Sequence, residues 1–382
     1  MYNGGDYIGR YSNRRVTRRD SALKIVAKVL YALICITLTV ATVICYITPY
    51  VSPEKLGSLT IIGIFAPLLY MGIVVMMLLS VAIKRWIYAA VLLVIALIGI
   101  PHISKYYNIE IFRTTEKPTD RTMFTLMSYN VRGFYDENGA RIVDHFVDYL
   151  EDRELPDILC IQEFARDAEG VDRIDSLYDA EFGKYYTYES IEGGNVVLKT
   201  YSRHPFVKGS HGEIAGENSG TSQWVDVVIK EKDTLRIFNN HLYTMSITEE
   251  DSEDIARGKI LQDGDRVRSI VKRIADNSSI RAKHAEKLHK VIEATPYRHI
   301  VCGDFNDTPL SYVYNTLSDN LNDAFVEAGS GAGCTFRPMH HVLRIDYILY
   351  SDGIEIHSYK SDHAATMSDH LPIEARFKAQ TK

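Results

Sequence analysis

Cysteine is scarce in this chain: there are five in 382 residues, and none forms a C-x-x-C pair. Cys35 and Cys45 share one apolar run, and Cys160, Cys302 and Cys334 are an odd set without paired spacing, so no disulfide framework is read from them. Cys160 and Cys302 lie in apolar, strand-like runs and read as small buried hydrophobes. No H-E-x-x-H occurs either, which turns the search for metal ligands from zinc towards hard oxygen donors. Glycine stands at 24 and proline at 11, and no residue type dominates, which excludes collagen, coiled coil and disorder. Internal repeats are not evident.

Charge is missing from three long stretches: Val29 to Pro53, Leu56 to Ile83 and Trp86 to Ser104. Crossing a bilayer takes about 20 mostly apolar residues, so a wholly soluble protein is excluded as the leading reading. The expectation is three transmembrane helices within residues 23–104, at about 25–48, 57–83 and 86–103. A basic tail, residues 1–22, precedes them; its Arg14, Arg15, Arg18 and Arg19, together with Lys84 and Arg85 in the second turn, place the N-terminus in the cytoplasm. Three crossings then carry the rest of the chain out of the cytoplasm. The first run is too long for a signal-peptide core and no A-x-A site follows it. If the third and shortest run lay in the interface instead, the soluble part would stay inside. The apolar runs hold no charged residue of the kind a coupled transporter usually needs, so the spans read as an anchor in the lipid bilayer.

The net charge of -6 divides unevenly: +7 up to Asp120 and -13 from Arg121 onward. After a linker, 105–120, the pattern from 121 to 382 becomes short apolar runs between polar loops, with a few amphipathic helices. Strands are expected at Met123 to Asn130, Ile158 to Gln162, Asn195 to Ser202, Trp224 to Ile229, Leu235 to Asn240, His299 to Gly303, Ile345 to Tyr350 and Ile373 to Phe377. Helices are expected at Arg141 to Glu151 and Arg266 to Glu293, giving sheet packed with helices in one large domain. The acidic segment Thr248 to Asp254 reads as a solvated loop, His340 and His341 as loop residues, and Tyr185, Tyr186 and Tyr188 as packing or rim.

Polar residues gather where the strands end. Ser128-Tyr129-Asn130, Gln162-Glu163, Asn239-Asn240-His241 and Gly303-Asp304-Phe305-Asn306-Asp307 close four strands; Arg344-Ile345-Asp346 opens a fifth and Ser368-Asp369-His370 precedes the last. Brought to one rim, they form a cluster of carboxylates, imidazoles and amides. Carboxylate and amide oxygens suit Mg2+, Mn2+ or Ca2+, and several carboxylates together repel unless a cation lies between them. A divalent ion beside an Asp base and a His acid is equipment for hydrolysing a phosphoester. Taken singly, Asn130 and Asn306 also suit turn caps, Asp346 a buried acceptor and His370 a structural histidine.

The ordered set MSYNVRGF, DILCIQEF, NNHLYT, GDFND, RIDYIL and SDHLPI, from about Thr122 to Phe377, resembles the endonuclease/exonuclease/phosphatase superfamily. GGNVVLKTYSRHPF and Arg281 to Leu288 are also similar, with His284 where Gln is expected. The resemblance implies an α/β four-layer sandwich, two packed mixed β-sheets flanked by helices, after the transmembrane region. It implies metal ligation by Glu163, with Asn130 and Asp369 beside it; Asp304 orienting or deprotonating the attacking water; Asn306 holding the nucleophile or a phosphoryl oxygen; His370, tuned by Asp346, against the phosphate; and His241 opposite, near the leaving oxygen. An inactive binding module is disfavoured because all eight positions carry competent residue types. The acidic soluble part disfavours nucleic acid, and tethering favours a phosphodiester at the bilayer. Unspecified phosphodiester hydrolysis ranks first, lipid-headgroup cleavage of the sphingomyelinase or phospholipase C kind second, and endonuclease third.

Overall fold

The computed structural model describes residues 22–108, 123–136, 139–190, 196–216, 220–230, 233–246, 251, 254, 263–338 and 343–378. The basic tail, most of the linker and the His340-His341 pair lie outside these.

Twelve strands build two six-stranded mixed sheets. The first has the order β11-β12-β1-β2-β4-β3, from Glu355–Ser361, Ile373–Lys378, Met123–Asn130, Ile158–Ala165, Val196–Ser202 and Tyr186–Glu189. The second has the order β9-β10-β8-β7-β6-β5, from Leu321–Asp323, Asp346–Ser351, Arg298–Asp304, Asp233–His241, Thr221–Lys230 and Phe206–Ala215. Each has one parallel pair, β1 with β2 and β7 with β8, and the other pairs are antiparallel.

The sheets meet through Leu126, Ile158, Cys160, Val225, Val227, Ile237, Ile300, Cys302, Ile348 and Phe377. The outer face of the first sheet is covered by α6 (Val143–Glu151) and α7 (Asp172–Phe182), and that of the second by α8 (Gly264–Glu293) and α9 (Tyr312–Leu317). Covered on both faces, β1 and β2 bury nearly every side chain, which is why they read as apolar runs rather than alternations. Asp263 caps α8, accepting from the N–H groups of Asp265 (3.1 Å) and Arg266 (3.0 Å). Asp251 is buried and bonds Arg273, so at least this acidic residue departs from the expected solvated loop.

In the N-terminal part, α1 (Ala22–Ile47), α4 (Ala66–Ala82) and α5 (Trp86–Ile103) pack through Cys35, Ile73, Leu92 and Ala96 and expose aliphatic side chains around this seam. The segments Ala22–Tyr50 and Trp86–Ile103 are long and apolar enough to cross a membrane. The expected second span, 57–83, is not one helix. It breaks at Phe65 into α3 (Leu59–Ile64) and α4, leaving α4 at 17 residues. At about 1.5 Å per residue α4 reaches roughly 26 Å, short of a roughly 30 Å hydrocarbon core.

Proline is the cause. Pro67 has no N–H to give the carbonyl of Gly63 four residues back, and that carbonyl accepts the hydroxyl of Tyr106 instead (3.3 Å). Ahead of the break, α3 lies on the soluble part: Thr60 Oγ1 is 3.0 Å from Ser278 Oγ of α8, and Ile64 packs with Met245, Ile270, Ile274, Leu343 and Ile345. Two candidate spans rather than three remove the odd count on which the outward placement of the soluble part rested. Nor are residues 105–108 a free linker: Asn108 Nδ2 donates to Phe325 O (3.0 Å) and Val326 O (2.7 Å), and Lys105 O accepts from Arg344 (3.0 Å).

Candidate active site

The rims of the two sheets are pinned together before any site residue is reached. Gln162 Nε2 crosses from β2 to Asn239 Oδ1 of β7 (2.7 Å) and also donates to Ser128 Oγ (3.1 Å), while Gln223 Nε2 reaches Thr200 Oγ1 (2.8 Å). These groups are buried, and their pairing fixes the relative height of Glu163, one residue beyond Gln162, and His241, two beyond Asn239.

Glu163 is aimed by a backbone irregularity. The pairing of β2 with β4 shifts between Ile161 and Phe164, and Glu163 takes φ +54, a left-handed conformation unusual for a side chain of its size. Asn306 also has positive φ, +51, held by its own N–H on Asp304 Oδ1 (2.8 Å) and its amide on Leu242 O (3.0 Å). Gly303, at φ +126, lies so close to β7 that a Cβ would sit 2.0 Å from Asn240 O. The glycine of GDFND lets β8 deliver Asp304 directly beside His241.

Around Asp304 the expected residues assemble. Its Oδ2 accepts from Asn130 Nδ2 (3.1 Å) and Asn306 Nδ2 (3.0 Å), and lies 3.8 Å from His241 Nε2 and 3.7 Å from His370 Nε2. Glu163 Oε1 accepts from Asn130 Nδ2 (3.0 Å) and faces His241 Nε2 at 3.3 Å. On the other side, His370 Nδ1 donates to Asp346 Oδ2 (2.9 Å), which directs Nε2 at Asp304. Asp369 lines the same cleft, its Oδ1 accepting from Ser368 Oγ (3.2 Å) and its Oδ2 lying 3.8 Å from Arg132 Nε. All eight residues singled out from the sequence thus lie in or against one cleft of about 490 Å³.

The electrostatics separate the two carboxylates at the centre. Burial pushes Asp304 up to about 6, aided by Asp346 and opposed by His370 and His241. Burial would also raise Glu163, but the hydrogen bond and charge of His241, with Asn130 and His370, outweigh it and hold Glu163 at about 2. Both imidazoles are raised against the burial that favours their neutral forms: His241 by Glu163 and Asp304, and His370, well above its ordinary value, by Asp346 and Asp304.

Several groups that serve the cleft carried no chemical signal in the sequence. Thr335 Oγ1 accepts from the N–H groups of Ile345 and Asp346 (3.1 Å each), setting the start of β10. Phe336 packs edge-on against the His370 ring at 5.0 Å. Arg281, fully buried in α8, donates to Asp307 Oδ2 and to the carbonyls of Tyr243 and Thr244 (3.2 Å each), tying together the segments that follow His241 and Asp304. Gln162 and Asn239 did stand in the strand-end clusters and could have been read from them.

Two mixed sheets flanked by helices, with a carboxylate, amide and imidazole cleft where their strands end, define a nuclease-like phosphoester hydrolase. The chain belongs to the endonuclease/exonuclease/phosphatase family, which residues 127–370 match. Residues 27–106 match a family described as a domain of unknown function. Among solved structures, the endonuclease/exonuclease/phosphatase from Bacteroides vulgatus is similar at 19% identity and TM-score 0.48, covering 68% of this chain and 100% of its own. The human Nocturnin catalytic domain with bound sulfate anion is similar at 18% identity and TM-score 0.47, with coverage of 69% and 95%. Truncated Caenorhabditis elegans TDP2 is similar at 18% identity and TM-score 0.45, with coverage of 67% and 98%. No functionally curated protein matches the chain.

Proposed function

We propose that the chain is a membrane-anchored, divalent-metal-dependent phosphodiester hydrolase. The observation that carries this is the geometry: the buried Asp304 carboxylate lies within 4 Å of two imidazoles and shares the Asn130 amide with Glu163. A buried carboxylate raised by its surroundings and flanked by imidazoles can take a proton from water, whereas the partly exposed Glu163 is suited to a cation.

Glu163, Asn130 and Asp369 would hold Mg2+ or Mn2+; the donor set fits, being two carboxylates and an amide with no sulfur. The ion, when bound, neutralises phosphate oxygens and lowers the pKa of water. In the reaction the water oxygen bonds to phosphorus and the bond from phosphorus to the leaving oxygen breaks. Asp304 orients the water and accepts its proton, while Asn306 holds a phosphoryl oxygen or the nucleophile. His370, kept cationic by Asp346, faces the charge that develops on the phosphate. His241, protonated through its contact with Glu163, gives its proton to the leaving oxygen. Anchoring would fall to α1 and α5, whose aliphatic side chains stand about half exposed along their length.

The 382-residue chain, purified in detergent, should hydrolyse bis(4-nitrophenyl) phosphate with Mg2+ or Mn2+, stop in EDTA and recover when metal is restored. Asp304→Ala and His370→Ala should each lower kcat by roughly a hundredfold or more. Unchanged turnover in either variant, or indifference to EDTA, would overturn the reading.

A further inference from the structure

The cleft has two unlike walls. One carries the carboxylates and imidazoles. The other includes Met245, Phe336, Leu343 and Ile345, which pack as one apolar cluster, and Val196, Leu198 and Leu242 also line the cleft. Among the described residues that line the cleft there is no Lys or Arg. A polyanion is gripped through cations along its backbone, and this lining offers none, although it has room for a single phosphodiester with an uncharged flank.

Val196 sharpens the point. It is 44% exposed, and beyond Ile100 it is the one large aliphatic side chain left largely open to solvent among the described residues. Elsewhere among the described residues of the catalytic domain the exposed large apolar groups are the tyrosines Tyr135 and Tyr297, so an open large aliphatic group lies only at the cleft. Behind the apolar wall, Leu343 and Ile345 pack on Ile64 of α3, and α3 runs through the Phe65 break into the apolar helix α4. The apolar side of the cleft is therefore continuous with the apolar helices.

We infer that the site takes an amphiphilic phosphodiester, one bearing an alkyl chain that lies against Val196 and the Met245, Phe336 and Ile345 wall while the phosphate meets Asp304 and the two histidines. This rests on the hydrolase reading above. Water adds to phosphorus, the bond to one alcohol oxygen breaks, and the products are a phosphomonoester and an alcohol, with no other reactant. A chain against these side chains contributes binding in proportion to the apolar area it loses from water.

The test uses the 382-residue chain in detergent with Mn2+ and a series of 4-nitrophenyl alkyl phosphodiesters, from methyl through butyl to octyl, followed by release of nitrophenolate. Expected is a rise in kcat/KM of about two- to fourfold per methylene until the wall is covered. Val196→Ser, at an exposed position, and Met245→Ser should both flatten that dependence, with thermal unfolding checking that each has folded. A dependence that is flat in the parent chain, or equally steep in both variants, would overturn the inference and leave the hydrolase reading standing. Faster nicking of supercoiled DNA than hydrolysis of the octyl ester would also overturn it. If no ester of the series is hydrolysed, from methyl to octyl, the hydrolase reading itself fails.

Discussion

Individual side chains here are tuned by what encloses them, and His284 is the clearest case outside the active site. It stands in α8 where the family resemblance leads one to expect Gln, with its Nε2 3.1 Å from Ser222 Oγ. Gly216 and Gly220 leave room for the ring: a Cβ on either would come within 2.5 and 3.0 Å of its Nδ1. Burial lowers its pKa to about 4. In the unfolded chain the same imidazole takes up a proton below its ordinary value of about 6.5. The unfolded state thus binds the extra proton between about 4 and 6.5, so stability is full above that window and falls as pH drops through it. His284→Gln should remove this slope, and the parent chain should lose up to about 3 kcal/mol relative to the variant between pH 7 and pH 4. Denaturant unfolding across that range measures the difference; parallel curves would show that His284 is not buried as a neutral group.

At the level of elements, the parallel pair β7 and β8 does most to place the chemistry. Asn240 lies opposite Gly303 and His241 opposite Asp304, and Asn240 Nδ2 also donates to Cys302 O (2.7 Å). Any side chain at 303 must push these strands apart, because its Cβ would meet the Asn240 carbonyl at 2.0 Å and a φ of +126 is strained for anything but glycine. Gly303→Ala should cost at least about 3 kcal/mol, and in whatever protein still folds should separate His241 from Asp304 and depress hydrolysis. Wild-type stability in that variant would mean that the two strands are not in this register.

Such strand-end placement is why so much of the site was legible. Asn239-Asn240-His241 and GDFND each join an apolar run that fixes a strand to polar residues at its end, Asn130 closes β1, and Asp346, Asp369 and His370 stand where β10 and β12 begin; Glu163 instead sits at the irregularity inside β2, which runs on to Ala165. Less could be read where the signal is not local. Strand β5, Phe206–Ala215, sits at an edge and is largely solvated, so it lacks the apolar pattern of its neighbours. Thr335 and Arg281 act only through partners distant in sequence. The break at Phe65 was hidden because 57–83 is apolar throughout; Pro67 was visible, but a proline within an apolar run does not reveal that Tyr106 will take the freed carbonyl.

Across the whole molecule, the two parts with net charges of +7 and -13 are not beads on a string. Their junction is made of buried and bonded groups: Ile64 against Ile270, Ile274, Leu343 and Ile345; Leu310 with Cys45, Ala66 and Tyr106; and Arg344, which spans from Lys105 O to Asp323 Oδ1 (2.6 Å). Close backbone approach accompanies them, since a Cβ on Gly63 would lie 2.7 Å from Leu310 O. The N-terminal helices should therefore contribute to the stability of the domain that carries the site. Removing a buried aliphatic group costs about 2–5 kcal/mol when Ile becomes Ala, so Ile64→Ala in the 382-residue chain should lower the unfolding midpoint of the soluble part. A chain beginning at Lys105 should unfold at lower temperature still and bind an apolar dye, because Met245, Leu343 and Ile345 lose their cover. Those three residues also line the cleft, so the shortened chain should hydrolyse a methyl phosphodiester more slowly than the whole one at equal concentration and metal. Equal midpoints and equal rates for the two chains would show that α3 does not support the site.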